Sequence, residues 1–382
     1  MGVTNKLFVY NNSTGFYEEV GENTILKPGI GYIFRTNAEK VIFSGDINLS
    51  EIVVDLGWSS TALGWNLVGN PFTGSLDWST ISKTNVANAF WIWQNRDEVY
   101  GVYNYDLGTG VNIASPIIPS YQAFWVKVPT ETKNDSASIT FSTSNLQANT
   151  TSYLKSTSMP ELVKIAGSNG MVKDETAVVI NQDASDNRDR LDSDKMLSKT
   201  SDALELFSSL EDKPIAINAI PAFTETKEIP IGYYASKAGD YQIELVNQTM
   251  TNLESVILID NDRHTEWTLS PENPYHFTVD NLGSNNTRFT LKMVTQTVPT
   301  NINNPDEKKD QCTVYAQDKH IIIETPDNNN LRYHLTDMSG RTLDNGNLEP
   351  QSLNRISAPG TGIYIVTIVS DKGKEEHKVA IE

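Results

Sequence analysis

The side chains that could support catalysis are few and scattered along the 382-residue chain. No histidine has a second ligand at the spacing of a metal site, and the His-Glu-x-x-His pattern does not occur. The single cysteine, Cys312, begins a predicted strand, where a small packed side chain is more usual than a reactive thiolate. The sequence therefore predicts a protein that is not an enzyme and has no catalytic residues. The five histidines are His264, His276, His320, His334 and His377.

One loop concentrates negative charge and could hold a metal ion, the one cofactor that the sequence suggests. Carboxylates two or three residues apart on a loop can wrap a hard cation such as calcium. Their order does not follow an EF-hand, and Arg188 and Arg190 offset part of the charge. A calcium site is one expectation and a solvated long loop is the other. The carboxylates are those of Asp183, Asp186, Asp189, Asp192 and Asp194.

Six of the seven tryptophans lie within the first 125 residues. Such rings can fill a core or form a platform on which a sugar ring stacks. Trp91 and Trp93 must share one face of their strand, with Ile92 on the other face. If a sugar-binding surface exists, the sequence predicts that it is lined by Trp91 and Trp93 or by Tyr103 and Tyr105.

Composition restricts the partners of the chain. Its 48 acidic and 30 basic residues leave a net charge of −18, which repels a phosphate backbone and disfavours nucleic acid. No stretch is apolar for long enough to span a membrane. The first residues, Met1-Gly2-Val3-Thr4, lack the basic and apolar regions of a signal peptide. If the protein is exported, we expect its signal to have been removed or to lie upstream.

Short alternating or aromatic-rich runs bounded by Gly, Pro, Asn and Asp dominate the chain and predict strands joined by turns. Helical periodicity is nearly absent, and its best candidate is residues 202–210. Polar stretches at 145–158 and 295–310 predict two linkers. The expected fold is all-β, with three consecutive β-sandwich-like domains. These are an aromatic-rich domain at 1–149, a sandwich or jelly-roll-like domain at 150–296 and a small immunoglobulin-like sandwich of seven strands at 297–382.

A degenerate repeat runs through the first predicted domain. Residues 7–10, 27–32 and 41–44 are echoed in the same order by residues 90–93, 118–124 and 139–142. The second copy is preceded by residues 64–72, which have no counterpart before the first copy. We therefore expect the first copy to be truncated and the natural protein to continue upstream.

The C-terminal segment has a turn at 337–341, a strand entered through Gly360-Thr361-Gly362 and a terminal strand that ends on Glu382. Gly340 suits the left-handed position of a tight turn. In the order and spacing of these features the segment resembles the C-terminal sorting domain of type IX secretion cargo in Bacteroidota. The residues that match the sorting motif are Gly340, Arg341, Gly362, Tyr364 and Lys378.

This resemblance implies that outer-membrane export machinery reads the last domain, which then serves to anchor or release the protein. Asp135-Ser136-Ala137 also resembles the O-glycosylation tripeptide of exported Bacteroidota proteins. We expect a non-catalytic C-terminal part of a protein at the cell surface or secreted by a Gram-negative bacterium, serving adhesion or presentation. Its ligand would be a glycan or another surface protein. The alternative is a carbohydrate-binding accessory region of a larger surface enzyme that degrades glycans.

Overall fold

The computed structural model divides into two compact units, Met1–Gln296 and Thr297–Glu382, which we call the large unit and the C-terminal unit. In the described residues the regular structure is all β apart from three single-turn 3-10 helices, which confirms the predicted fold class. No helix among these residues is long and apolar enough to cross a membrane. The structure describes residues 5–21, 24–37, 42, 44–113, 115–147, 159–296, 312–317, 319–325, 331–337, 340–370 and 373–381.

Some predicted features fall wholly or partly outside these residues. Most of both predicted linkers lies outside them, at 148–158 and 297–311. The predicted strand at 41–44 is described only at Ile42 and Ser44, and neither residue is in a strand.

Residues 5–147 of the large unit, which we call the aromatic half, form four small sheets. The strands are β1 (Lys6–Asn11), β2 (Phe16–Glu19), β3 (Tyr32–Arg35), β4 (Ile52–Leu56), β5 (Trp65–Gly69), β6 (Leu76–Asp77), β7 (Ser82–Thr84), β8 (Ala89–Gln94), β9 (Val99–Asn104), β10 (Thr109–Val111), β11 (Ile117–Ile118), β12 (Ala123–Lys127) and β13 (Ala137–Phe141). The sheet orders are β2-β1-β3, β10-β9-β8-β12-β5, β11-β6 and β4-β13-β7. The three 3-10 helices, Trp78–Thr80, Thr130–Thr132 and Thr143–Asn145, lie in connections between strands.

The five-stranded sheet of the aromatic half is buried on both faces. On one face Phe124 packs against Phe141 of the β4-β13-β7 sheet, with ring centroids 6.4 Å apart. On the other face Trp91 and Trp125 join a second core with Ile217 and other residues from beyond position 159. Layers on both sides therefore cover this sheet, which is why consecutive residues of its strands are apolar.

The two copies of the repeat fold alike. In the first copy β1 lies between β2 and β3, and in the second β8 lies between β9 and β12. All four pairings are antiparallel. In each copy the first strand of a hairpin also pairs, on its other edge, with a later strand. That strand follows the segment that contains Pro28 in the first copy and Pro119 in the second. Matching sequences thus occupy matching strand positions.

Residues 159–296, which we call the middle half, form one hydrogen-bonded sheet. Its order is β22-β21-β24-β19-β17-β18-β15-β14-β20-β23, with β16 also paired to β18. Only the pairing of β15 with β18 is parallel. The strands are β14 (Leu162–Ser168), β15 (Lys173–Ile180), β16 (Ser193–Asp194), β17 (Glu205–Leu210), β18 (Lys213–Ile220), β19 (Lys227–Ala235), β20 (Gly239–Gln248), β21 (Leu253–Asp260), β22 (Thr265–Thr268), β23 (Tyr275–Val279) and β24 (Gly283–Thr295).

This long sheet folds back on itself. Phe277 on the edge strand β23 packs against Phe289 on β24, near the opposite edge, with ring centroids 4.9 Å apart. The two stretches of sheet enclose one core, to which most of the strands contribute. The result is a sandwich built from a single sheet.

Residues 202–210, the best helical candidate in a chain with almost no helical periodicity, do not form a helix. Glu205–Leu210 is β17, which pairs with β18 on one side and β19 on the other. Leu206 and Phe207 are both buried although they point to opposite faces. A short apolar run carries the same local signal for a buried helix and a buried strand. Hydrogen bonds to a strand on each side stabilise this segment as a strand.

The C-terminal unit is a sandwich with seven strands among the described residues, as predicted. A three-stranded sheet, β25-β26-β29, and a four-stranded sheet, β28-β27-β30-β31, share one core. The edge strand β28 has no clear sequence signal because most of its side chains are exposed. The strands are β25 (Thr313–Gln317), β26 (His320–Glu324), β27 (Arg332–Asp337), β28 (Thr342–Asn347), β29 (Leu353–Ser357), β30 (Gly362–Ser370) and β31 (Gly373–Ile381).

Candidate functional site

The four aromatic residues predicted to bind sugar do not form one surface. Trp91 is 1% exposed, and its Nε1 donates a hydrogen bond to the backbone oxygen of Asp194 at 2.9 Å. Tyr103 is also buried, on the opposite face of the sheet, where its ring stacks on Phe90. The expectation for Trp91 and Tyr103 is therefore corrected, because other layers cover both faces of their sheet.

Trp93 and Tyr105 are more accessible. Trp93 is half-buried, and its ring meets that of Tyr100 edge to face with centroids 5.1 Å apart. Tyr105 is 36% exposed in the turn that follows β9, where its backbone N–H donates to the oxygen of Asn88. Of the four predicted residues, only Trp93 borders the groove described next.

A groove of about 670 Å³ opens on the large unit and is lined largely by aromatic rings. Tyr10 packs edge to face on Trp125 at 4.7 Å and on Tyr17 at 5.6 Å between centroids. Trp65 lies 6.4 Å from Trp125. Tyr17 is 43% exposed, whereas Trp125 is buried. We define the aromatic groove by Tyr10, Tyr17, Trp65, Trp93, Tyr100 and Trp125.

Strand pairing brings these rings together. Tyr10 and Tyr17 are cross-strand neighbours in the β1–β2 hairpin, and Trp93 and Tyr100 are neighbours in the β8–β9 hairpin. Trp65 begins β5, which pairs with the strand that carries Trp125. The groove thus joins the hairpins of the two repeat copies. Sequence reasoning found only Trp93, and the repeat was the signal that could have linked the two hairpins.

The edge of the groove carries uncharged polar groups. Asn95, Gln122 and Ser198 are among its lining residues. Burial raises the pKa of Tyr17 above its usual value, and neighbouring tyrosines raise it further. Burial is also the main cause that raises the pKa of Tyr100. These hydroxyls are therefore neutral at physiological pH and can both donate and accept hydrogen bonds. Such a lining suits an uncharged polar ligand.

The aspartates of the predicted calcium loop do not converge. Asp192 Oδ2 accepts the N–H of Asp189 at 2.8 Å, and its Oδ1 accepts an N–H from β18 at 2.9 Å. Asp194 forms ion pairs with Lys127 and with Arg188, the latter at 2.5 Å. These contacts fasten the loop to both halves of the large unit.

The remaining carboxylates of the loop also take separate partners. Asp186 pairs with Lys227 at 2.6 Å, Asp189 accepts backbone N–H bonds within the loop, and Asp183 is exposed. Among the residues that the structure describes, no group of three or more His, Cys, Asp or Glu is placed to hold a metal ion. The calcium expectation is corrected on this geometry, because lysine, arginine and backbone N–H groups occupy the carboxylates.

The five residues of the sorting motif all lie on or beside the four-stranded sheet of the C-terminal unit. Gly340 has a φ of +81°, and its N–H donates to the oxygen of Asp337 at 2.9 Å, as a tight turn requires. Arg341 is exposed and pairs with the carboxylate of Asp337 at 3.1 Å. The Tyr364 ring is buried, and its hydroxyl donates to the oxygen of Gly360 at 2.9 Å.

The other two residues of the motif lie on β30 and β31, the neighbouring strands at one end of this sheet. Gly362 begins β30, and Lys378 is exposed on β31. Asp337 and Tyr364 are cross-strand neighbours, as are Ile365 and Lys378. The motif therefore forms one continuous region of adjoining strands, with a buried tyrosine and two exposed basic side chains. Met338, Ser339 and Glu382 lie outside the described residues.

The fold and the groove define an all-β protein of packed sandwiches with an aromatic groove in its large unit. The chain belongs to the family described as "Domain of unknown function (DUF8693)", whose model matches residues 2–293. That match spans both the aromatic half and the middle half and ends close to the boundary of the large unit.

Comparison with other proteins adds no assigned function. No curated protein matches the chain. Among solved structures, one titled "Biofilm associated protein - BSP domain" is 8% identical, with 90% of this chain and 83% of that chain covered and a TM-score of 0.17. A TM-score this low does not establish a common fold.

Proposed function

We propose that this chain is a non-catalytic part of an exported cell-surface protein and serves adhesion or presentation. The observation that carries the proposal is the aromatic groove. Eight of its lining residues are aromatic, and they share one concave surface with neutral amide and hydroxyl groups. Ligand sites typically have this composition, a mainly apolar lining with a few polar groups that orient the ligand.

Partial exposure of the rings supports a binding role over a purely structural one. Tyr17 is 43% exposed and the neighbouring Phe16 is 71% exposed. Large apolar groups held at a surface mark interaction sites when they form a contiguous patch. The groove belongs to such a patch, since Ile33 and Phe34 also border it and are 37% and 42% exposed.

Neutral glycan is the ligand class that this groove favours, which also supports the second candidate, a carbohydrate-binding accessory region of a larger glycan-degrading enzyme. Aromatic rings present flat apolar faces that suit the C–H faces of a sugar, and their hydroxyl and N–H groups add hydrogen bonds. The net charge of −18 opposes an anionic polysaccharide through long-range repulsion. The two candidates share this site and differ only in what the whole protein does with bound glycan.

Calorimetric titration of the full chain with a panel of soluble neutral polysaccharides tests the groove. We expect Trp93→Ala to weaken binding by about tenfold or more, equivalent to about 1.4 kcal/mol. Trp267→Ala is the matched control, because Trp267 is 39% exposed on β22 and does not line the groove. Binding that is equally affected by both substitutions, or absent across the panel, would contradict a glycan site at the groove.

For the C-terminal unit we propose a role as the secretion or anchoring signal, with the export machinery as its partner. Its support is the resemblance of the motif together with the continuous region that these residues form. The test fuses residues 297–382 to a fluorescent reporter in a Bacteroidota host with an intact type IX system. Delivery to the surface or medium that depends on the fused unit is the expected result, and retention in the periplasm would contradict it.

A further inference from the structure

A lysine and an aspartate lie in direct contact in the interior of the large unit. Lys195 Nζ is 2.5 Å from Asp174 Oδ2, and the two side chains are 1% and 0% exposed. Asp174 is on β15, and Lys195 directly follows β16. Nearly every charged side chain of a protein keeps some contact with water, because the loss of hydration is costly for a buried ion pair. The burial of both members of this pair is therefore unusual.

Asp174 lies on β15, three residues before the part of that strand that pairs with β18. β15 pairs with β18 only from Ala177 to Ile180, so the beginning of β15 has left that neighbour. At this point the Asp174 carboxyl accepts the backbone N–H of Leu206 at 2.8 Å through Oδ2. Its Oδ1 accepts Asn112 Nδ2 at 2.7 Å. The carboxyl group is therefore held in one orientation, with both oxygens polarised by N–H donors.

Burial favours the uncharged form of Asp174. Burial raises the pKa of Asp174 to about 6, although the charge and hydrogen bond of Lys195 act in the opposite direction. In a dry interior, transfer of one proton along the Nζ–H···Oδ2 bond converts the ion pair into a neutral amine and a carboxylic acid. These are the two reactants that form an amide. Fixed contact between them supplies the proximity that a reaction in solution lacks.

We propose that Lys195 and Asp174 are joined by an intramolecular amide bond between Nζ and Cγ. The Lys195 ammonium first gives a proton to the Asp174 carboxylate. The neutral amine then attacks Cγ, and the Nδ2–H donor of Asn112 stabilises the negative charge that develops on Oδ1. A second proton passes from nitrogen to the departing hydroxyl, so that one C–N bond forms, one C–O bond breaks and one water molecule leaves. No oxidant, reductant or other reactant is required.

The bond would make one side-chain contact permanent close to where the aromatic half meets the middle half, since Asn112 contacts Asp174 there. It would close the chain between positions 174 and 195. This segment includes residues 183–194, which carry the five aspartates and which we call the acidic loop, and its contacts with Lys127 and Trp91. A covalent tie of this kind limits unfolding in the same way as a disulfide, and the sole cysteine of the chain cannot form one internally. The proposal does not depend on the ligand of the aromatic groove.

Intact-mass measurement of the full chain under denaturing conditions tests the bond. The expected mass is lower by one water than that calculated from the sequence, and a digest should contain a branched peptide that joins Asp174 to Lys195. Lys195→Met should restore the full mass. Lys164→Met is the matched control and should keep the loss of water, because Lys164 is a neighbouring half-buried lysine that contacts Glu175 instead. Asp174→Asn should lose ammonia and form the same amide.

The wild-type measurement is decisive even if a variant fails to fold. A wild-type chain of full calculated mass would overturn the proposal and make the contact an ordinary buried ion pair. A loss of water that maps to another pair of residues, such as Lys127 and Asp194, would overturn it as well.

Discussion

The Nε1 of Trp91 donates a hydrogen bond at 2.9 Å to the backbone oxygen of Asp194, 103 positions further along the chain. This bond connects the five-stranded sheet of the aromatic half to the acidic loop of the middle half. Trp91 packs here in a core shared with Ala177 and Ile217. A tryptophan whose place on its strand suggested a sugar-binding surface thus packs between the two halves of the large unit.

Trp91→Phe should destabilise the large unit by about 1 to 3 kcal/mol. The substitution removes the donor to a partly buried carbonyl and leaves a cavity beside Trp65, whose ring lies 4.6 Å from that of Trp91. Urea unfolding monitored by circular dichroism measures the change. Trp267→Phe, at an exposed site, should stay within about 0.5 kcal/mol of wild type. Equal effects of the two substitutions would show that the junction does not depend on Trp91.

Gly64 should tolerate alanine much less well than Gly108 does. Both have positive φ, +84° and +62°, but a Cβ at Gly64 would lie 2.1 Å from the oxygen of Val128, whereas nothing lies within 4 Å at Gly108. We expect Gly108→Ala to cost about 1 kcal/mol and Gly64→Ala more than about 2 kcal/mol. Because Trp65 follows directly, Gly64→Ala should also weaken ligand binding in the groove. Comparable unfolding free energies for the two variants would contradict the steric argument.

Asp192 should make the large unit less stable as the pH rises from about 4 to about 6. Burial raises its pKa to about 6, and the hydrogen bonds that it accepts only partly offset this. An unfolded aspartate titrates near 3.9. Within that window the folded state therefore binds more protons than the unfolded state, so the free energy of unfolding falls with rising pH.

The variant Asp192→Asn cannot titrate and should lack this contribution, which we expect to be about 1 to 2 kcal/mol across the window. Urea unfolding at several pH values measures the difference in slope from wild type. Asp183→Asn, in the exposed part of the same loop, should keep the wild-type slope. A slope unchanged in Asp192→Asn would mean that the carboxylate is not held in a desolvated site.

Asp260 should be a costly acidic residue to remove from the middle half. Burial opposes its ionisation, but hydrogen bonds from Arg288 at 2.9 Å and Tyr275 at 2.8 Å outweigh burial and lower its pKa. Asp260→Ala removes the closest carboxylate from the buried guanidinium of Arg288 and should cost about 3 to 5 kcal/mol. Asp262→Ala should cost less than about 1 kcal/mol, because the Asp262 side chain is 60% exposed and lies 3.7 Å from Arg288.

The pH response of Asp260 has the opposite sign to that of Asp192. A carboxyl with a lowered pKa in the folded state stabilises the protein above the unfolded pKa, and this stability is lost as the pH falls. Acid titration of the Asp260→Ala variant should therefore show a shallower loss of stability below about pH 4 than wild type. A variant as acid-sensitive as wild type would contradict the assignment to this ion pair.

Most strands could be predicted because their signal is local. Alternation and turn residues located β1, β12 and β30. The apolar run at β17 remained a helical candidate because a short window does not contain the strands that pair with it. The site was less predictable. Trp93 was identified, but Tyr10 and Trp125 are far apart in the sequence and meet only in the folded chain, with ring centroids 4.7 Å apart.

By itself the sequence determined the all-β class, the positions of most strands, the repeat and the sharing of one strand face by Trp91 and Trp93, since each depends on neighbours within a few residues. Only the tertiary structure decided which of those rings reaches a ligand and where the aspartates point. Exposure and ion pairing depend on what covers a strand, and here residues of the middle half cover Trp91 and hold Asp192, whereas Lys127 of the aromatic half and Arg188 both pair with Asp194. The sequence around a side chain does not reveal which layer packs on it in the folded protein.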